Sequence, residues 1–124
     1  NIIYEKIFKK YGLQRGQFAF ITRIVENKNI NLKQLAQNIR VDKATVTKAM
    51  QKLEESGYVI KKIDQTDNRI IHLLPTEKCT RIYTCIIQEK NQLLSSIINK
   101  FTSKELELYI SITRDINICL DKIR

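Results

Sequence analysis

Apolar positions recur at three- and four-residue intervals over most of the chain, and only between residues 58 and 74 does the pattern change to short β-branched runs. That arrangement predicts a mainly α architecture with one hairpin near the middle. Residues 2–11 put Ile3, Ile7 and Phe8 on one helical face. After a break at Gly12, a second helix carries Phe18, Ile21, Ile24 and Val25. These two helices are expected to supply core and dimer contacts. Asn27 to Asn31 reads as a polar turn. Asn31 followed by Gln34 has the capping-box arrangement, so a short helix is expected from Leu32 to Asn38, burying Leu35, Ala36 and Ile39.

Ile39-Arg40-Val41 is the expected turn into a second short helix, for which Asp42 is suited as cap because its carboxylate accepts a backbone NH and complements the helix dipole. Val46, Ala49, Met50 and Leu53 form the inner stripe of that helix, and Gly57 supplies a left-handed stop. Tyr58 to Ile63 and Ile70 to Leu74 read as strands separated by six polar residues. The order helix, helix, two-stranded ribbon over 31–75 is that of a winged helix-turn-helix, with Asp64 to Arg69 at the tip of the wing.

From Thr76 a long helix carries the pairs Ile82/Tyr83, Ile86/Ile87, Leu93/Leu94 and Ile97/Ile98, interrupted at Glu89, Lys90 and Asn91. Thr102 to Glu105 forms a second capping box. It opens a last helix whose seam is Leu106, Tyr109, Ile112, Ile116, Cys119 and Ile123, spaced like a coiled-coil face. The apolar arc of the long helices is wider than one small winged domain covers. Residues 1–26 and 76–124 are therefore assigned to dimerisation, with Ile3, Ile7, Tyr109, Ile112, Ile116, Cys119 and Ile123 at the interface, all within one domain spanning 1–124. The alternative is that these helices pack on one another within one chain.

Charge sharpens the picture. Lys and Arg number 22 against 13 Asp and Glu, a formal charge of +9, which favours a polyanion or an anionic surface as partner. No stretch approaches the roughly 20 apolar residues of a membrane-spanning helix, and no signal-peptide core is visible, so no membrane partner and a cytoplasmic location are expected. The three cysteines, Cys79, Cys85 and Cys119, lack paired spacing and fit reduced thiols. The first residue is Asn rather than Met, which leaves room for a preceding stretch.

In a helix-turn-helix the second helix lies in the major groove, and basic and hydroxyl side chains hold phosphates. Off the buried stripe of Asp42 to Ser56 stand Lys43, Ala44, Thr45, Thr47, Lys48, Gln51 and Lys52. Thr45 and Thr47 can bond a base edge or a phosphate, Ala44 can touch a thymine methyl, and Lys48 can donate to guanine O6 or N7. Arg69 beyond the wing tip suits a narrow minor groove, and Lys61 and Lys62 suit phosphates. Asp67 is expected to stabilise the wing by accepting bonds from the tip backbone or a nearby Arg, so that Arg69 points outward.

Leu35-Ala36, the run Val41 to Lys48, Leu53-Glu54-Glu55-Ser56-Gly57 and Asp67-Asn68-Arg69 together resemble the MarR family of transcriptional regulators, and the flanking helices extend the likeness over nearly the whole chain. The resemblance implies a homodimer joined through its N- and C-terminal helices on a pseudo-palindromic operator. It also implies repression of transcription until a small-molecule effector or an oxidant releases the operator. The helix matching Asp42 to Ser56 is then the recognition helix, and Arg69 the residue entering the minor groove. The chain differs from the family pattern in having Lys48 where Arg is common and Cys79 where Gly often follows the wing, with Pro75 before Thr76.

Other chemistries find little to build on. His72 is the sole histidine and is expected to be an ordinary, partly packed imidazole of a wing strand, so neither a catalytic site nor a metal centre is expected. There is no Gly-rich phosphate loop, and no cofactor is expected. Cys79, in the first turn of a helix, has the dipole that favours a thiolate, while Cys85 and Cys119 are expected in helix interfaces. The ligand site is not assigned, though the aromatic region of Tyr11 and Phe18 near the start of the long helix is the natural place for a pocket. The rival to a DNA-binding regulator is a protein-interaction module whose basic face docks on an acidic partner.

Overall fold

The computed structural model describes the backbone of residues 2–123 and the side chains of 4–123, so the expected dimer contact of Ile3 lies outside the described residues. The order of elements is α1 (Ile2–Lys10), α2 (Arg15–Glu26), α3 (Leu32–Ile39), α4 (Lys43–Glu55), β1 (Val59–Ile63), β2 (Ile71–Pro75), α5 (Glu77–Ile98) and α6 (Ser103–Ile123). The chain is mainly helical with a two-stranded wing and long C-terminal helices. It divides into two compact units, Asn1–Glu89 and Lys90–Arg124.

In the first unit, the helix ends explain the path. α4 closes with Gly57 at φ +79. The Gly57 NH donates to the Glu54 carbonyl and the Tyr58 NH to that of Leu53, the paired closure that a left-handed residue permits. α1 ends similarly at Gly12, with the Leu13 NH reaching back to Phe8. α3 uses the same turn without a glycine: Arg40 sits at φ 60, and the Val41 NH donates to Ala36. At the starts, the Asn31 side chain accepts from the Gln34 NH at 2.8 Å while Gln34 accepts from the Asn31 NH at 3.0 Å. Asp42 accepts from the Thr45 NH at 3.1 Å.

Leu35, Val46, Met50, Leu53, Leu73, Cys79 and Ile86 are fully buried, and Ala36 and Ile39 are half-buried against them. Each such aliphatic side chain contributes about 1.5–3 kcal/mol by leaving water. Ile7 lies half-buried against this core of its own chain. Lys10 of α1 donates to Glu89 of α5 at 2.6 Å.

β1 and β2 pair antiparallel from Val59↔Pro75 to Ile63↔Ile71. Both strands start one residue later than the β-branched runs suggest. The Tyr58 NH is committed to closing α4, and the Ile70 NH donates to Asp67 inside the tip. Pro75 pairs at the strand end, where its missing NH costs least. On its other side β2 meets the α2–α3 turn through an Asn31↔His72 bridge and a bond from the Leu73 NH to the Ile30 carbonyl at 2.8 Å. Thr76 caps α5 rather than opening it, accepting from the Cys79 NH and donating to the Gly57 carbonyl.

In the second unit, Thr102 and Glu105 form a reciprocal capping box at the start of α6. None of the described residues of α6 is buried. Tyr109, Ile112, Ile116, Ile118, Leu120 and Ile123 are all exposed.

Candidate nucleic-acid interface

α4 presents one face to the core and the other to water because its apolar residues recur with the helix turn. Val46, Met50 and Leu53 are buried, whereas Lys43, Ala44, Thr45, Thr47, Lys48, Gln51 and Lys52 are exposed. Two hydroxyls are already engaged. Thr45 donates to Asp42 Oδ1, and Thr47 donates to the Lys43 carbonyl at 2.8 Å, leaving each oxygen free to accept. The Thr45 hydroxyl, then its NH, holds the Asp42 carboxyl below the usual carboxylate range. The cap is thus anionic at neutral pH, where it favours the positive end of the helix.

In the wing the two lysines differ. Lys61 is half-buried and lies 3.7 Å from Glu54 of α4, while Lys62 is exposed. Arg69 projects into solvent, its side chain 90% exposed. Asp67 accepts from the Arg69 NH at 2.9 Å and from Nε and Nη2 at 3.1 Å each, a forked grip that fixes the guanidinium direction. Arg69, through its side chain first, keeps the Asp67 carboxyl below its ordinary range.

Beneath the tip sits a pair whose connection the sequence did not reveal. His72 Nε2 lies 2.7 Å from Asp64 Oδ1, and Nδ1 lies 2.8 Å from the Asn29 carbonyl. Asp64 Oδ2 accepts from the Thr66 NH, the Thr66 hydroxyl and the Asp67 NH, which organises the turn. The only local signal was Asp64 followed by Thr66 and Asp67, an Asx-turn pattern.

One expectation fails. Cys79 is fully buried, and burial pushes its thiol up to about 11, so the loss of hydration outweighs the helix dipole and the residue is no thiolate. The Phe18 ring stacks on Phe8 at 4.8 Å and on Tyr83 at 5.9 Å and belongs to the core. Cys85 is half-buried, and Cys119 is exposed on α6.

A capped, basic second helix with its polar face in water, followed by a ribbon that projects an arginine, defines a winged helix-turn-helix DNA-binding protein. The MarR family model matches residues 13–71. The chain is 37% identical over 100 residues to the HTH-type transcriptional regulator YybA of Bacillus subtilis, covering 81% of this chain and 67% of that protein. A solved MarR protein from Peptoclostridium difficile is 40% identical, with a TM-score of 0.77 over 97% of this chain and 78% of that one. FabT of Streptococcus pneumoniae, solved in complex with DNA, shares the fold at a TM-score of 0.84 and 19% identity, covering 91% of this chain and 79% of its own. The chain belongs to the MarR family of DNA-binding transcriptional regulators, which are not enzymes. None of its described helices is long and apolar enough to cross a membrane.

Proposed function

We propose that the chain acts as a homodimer on a pseudo-palindromic operator in double-stranded DNA, with α4 of each protomer in a major groove and Arg69 reaching the adjacent minor groove. Binding represses transcription, and a small-molecule effector releases it. The observation that carries the reading is the outward set Lys43, Ala44, Thr45, Thr47, Lys48, Gln51 and Lys52 on a helix whose opposite face is buried. Lys48 donates to a guanine edge, and Lys43, Lys52 and Lys62 neutralise phosphates. Lys61, held near Glu54, contributes less.

The exposed apolar seam of α6 supports the dimer, because two copies of one winged domain match a two-fold symmetric site. Membership of the family supports the effector. Selection of bound duplexes from a random pool tests the whole reading. Two inverted half-sites with centres about 34–36 Å apart are expected. Enrichment of no symmetric motif would leave an interaction module as the better account.

A further inference from the structure

Both ring nitrogens of His72 meet oxygens that have no proton to give. The Asn29 carbonyl accepts at Nδ1, at 2.8 Å. At Nε2, 2.7 Å away, stands a carboxylate whose other oxygen already accepts three bonds from Thr66 and Asp67. A neutral imidazole carries one N–H and would turn a lone pair toward one of these oxygens, whereas the imidazolium donates to both. Asp64 cannot supply the missing proton, since His72 first, and then the Thr66 bonds, hold its carboxyl well below the usual range.

We infer that His72 is a positioning residue for DNA binding: its imidazolium ties the wing tip to the α2–α3 turn, and loss of that proton frees the tip and weakens the operator contact. The inference rests on the proposed placement of the wing on duplex DNA. The connection runs through few bonds. His72 holds Asp64, Asp64 holds the Asp67 NH at 3.2 Å, and Asp67 grips Arg69.

The groups facing the ring decide the sign. Asp64 at the tip, then the Asn29 carbonyl of the α2–α3 turn, raise the His72 pKa from its ordinary 6.5; partial burial and Lys62 on β1 oppose them. Asn31, which meets β2 through its backbone, brings no charge. The clamp is therefore complete below about pH 6.5 and is lost as pH rises through the elevated value. The ring lines an open hollow of about 380 Å³ with Lys62, Asp64 and Thr66, so protons exchange with solvent without unfolding.

Because His72 is the single histidine of the chain, ring NMR of the free protein reads it without ambiguity. Titration from about pH 5.5 to 9 is expected to give a ring pKa above 6.5, with the amide shifts of residues 64–69 following the same curve. Asp64→Asn is expected to lower that pKa. A ring titrating at or below 6.5, or tip amides indifferent to it, would overturn the clamp.

Affinity for the selected operator is then measured over the same range at fixed ionic strength. The parent is expected to weaken about three- to tenfold between pH 6 and 8.5, with uptake of at most one proton on binding. His72→Arg, a permanent cation, keeps the low-pH affinity throughout, and His72→Gln keeps the weakened affinity throughout. A flat parent profile with ring and tip still coupled, or one slope shared by all three proteins, overturns the link to DNA binding. Failure to bind any duplex at any pH, with ring and tip titrating together, overturns the wing's placement on DNA and leaves the clamp standing.

Discussion

At the scale of single residues, contacts that read bases and contacts that hold phosphates make different predictions. Lys48 stands on the exposed face of α4 with no carboxylate partner among the described ion pairs, so its ammonium is available to a base edge. Lys48→Ala is expected to cost about 1 kcal/mol or more in operator binding and to relax preference at one base position, read by competition between single-base operator variants. On the proposed placement, Arg69→Ala removes a groove contact that senses width and potential rather than base identity. It is expected to weaken binding about tenfold across variants, leave the selected motif intact and flatten the salt dependence by about one charge. Equal loss of motif preference in both variants would mean that the wing reads bases. Cys79 belongs here too. Fully buried, with its thiol pushed up to about 11, it is expected to resist iodoacetamide at neutral pH until the protein unfolds, which mass spectrometry of alkylated peptides checks.

At the scale of elements, the helix ends were legible because their chemistry is local. Asn31 with Gln34, Asp42 with Thr45, and Thr102 with Glu105 each satisfy backbone NH groups within three residues, so sequence spacing alone carries the cap. Asn31→Ala is accordingly expected to lower stability by about 1 kcal/mol in urea unfolding. Gly57 was legible as a stop, and at φ +79 a Cβ is strained whatever the space around it. Gly57→Ala should cost about 1–2 kcal/mol. What stayed hidden was set by partners distant in sequence. His72 reaches Asp64 eight residues away and Asn29 forty-three away, so no window around it names either partner. Arg40 adopts a left-handed backbone with no glycine to announce it, held there by closure of α3 and by Val41 packing on the core. The exposed set on α4 followed from periodicity, but that the Thr45 and Thr47 hydroxyls already donate within the helix did not.

At the scale of the whole molecule, the exposed seam of α6 needs an explanation. The unit Lys90–Arg124 is shorter than the roughly 40 residues below which a chain seldom builds its own core, and α6 has no buried described residue. Tyr109 is 69% exposed and Ile116 53%, on a helix long enough to present several turns of apolar surface. Leaving such a stripe in water forfeits about 25 cal/mol per Å² of apolar area, which a second copy of the same helix recovers by packing stripe on stripe. Replacing Ile112 and Ile116 together by Asp puts two charges into the proposed contact, where neither finds a partner. The double variant is expected to sediment at half the mass of the parent at micromolar concentration. It should keep the unfolding transition of the first unit, whose core contains neither residue. Its affinity for the full operator should drop to that of an isolated half-site, because a monomer engages one major groove at a time. A variant that stayed dimeric would place the contact elsewhere, and a monomer that bound the full operator undiminished would show that two-fold pairing is not how this protein recognises DNA.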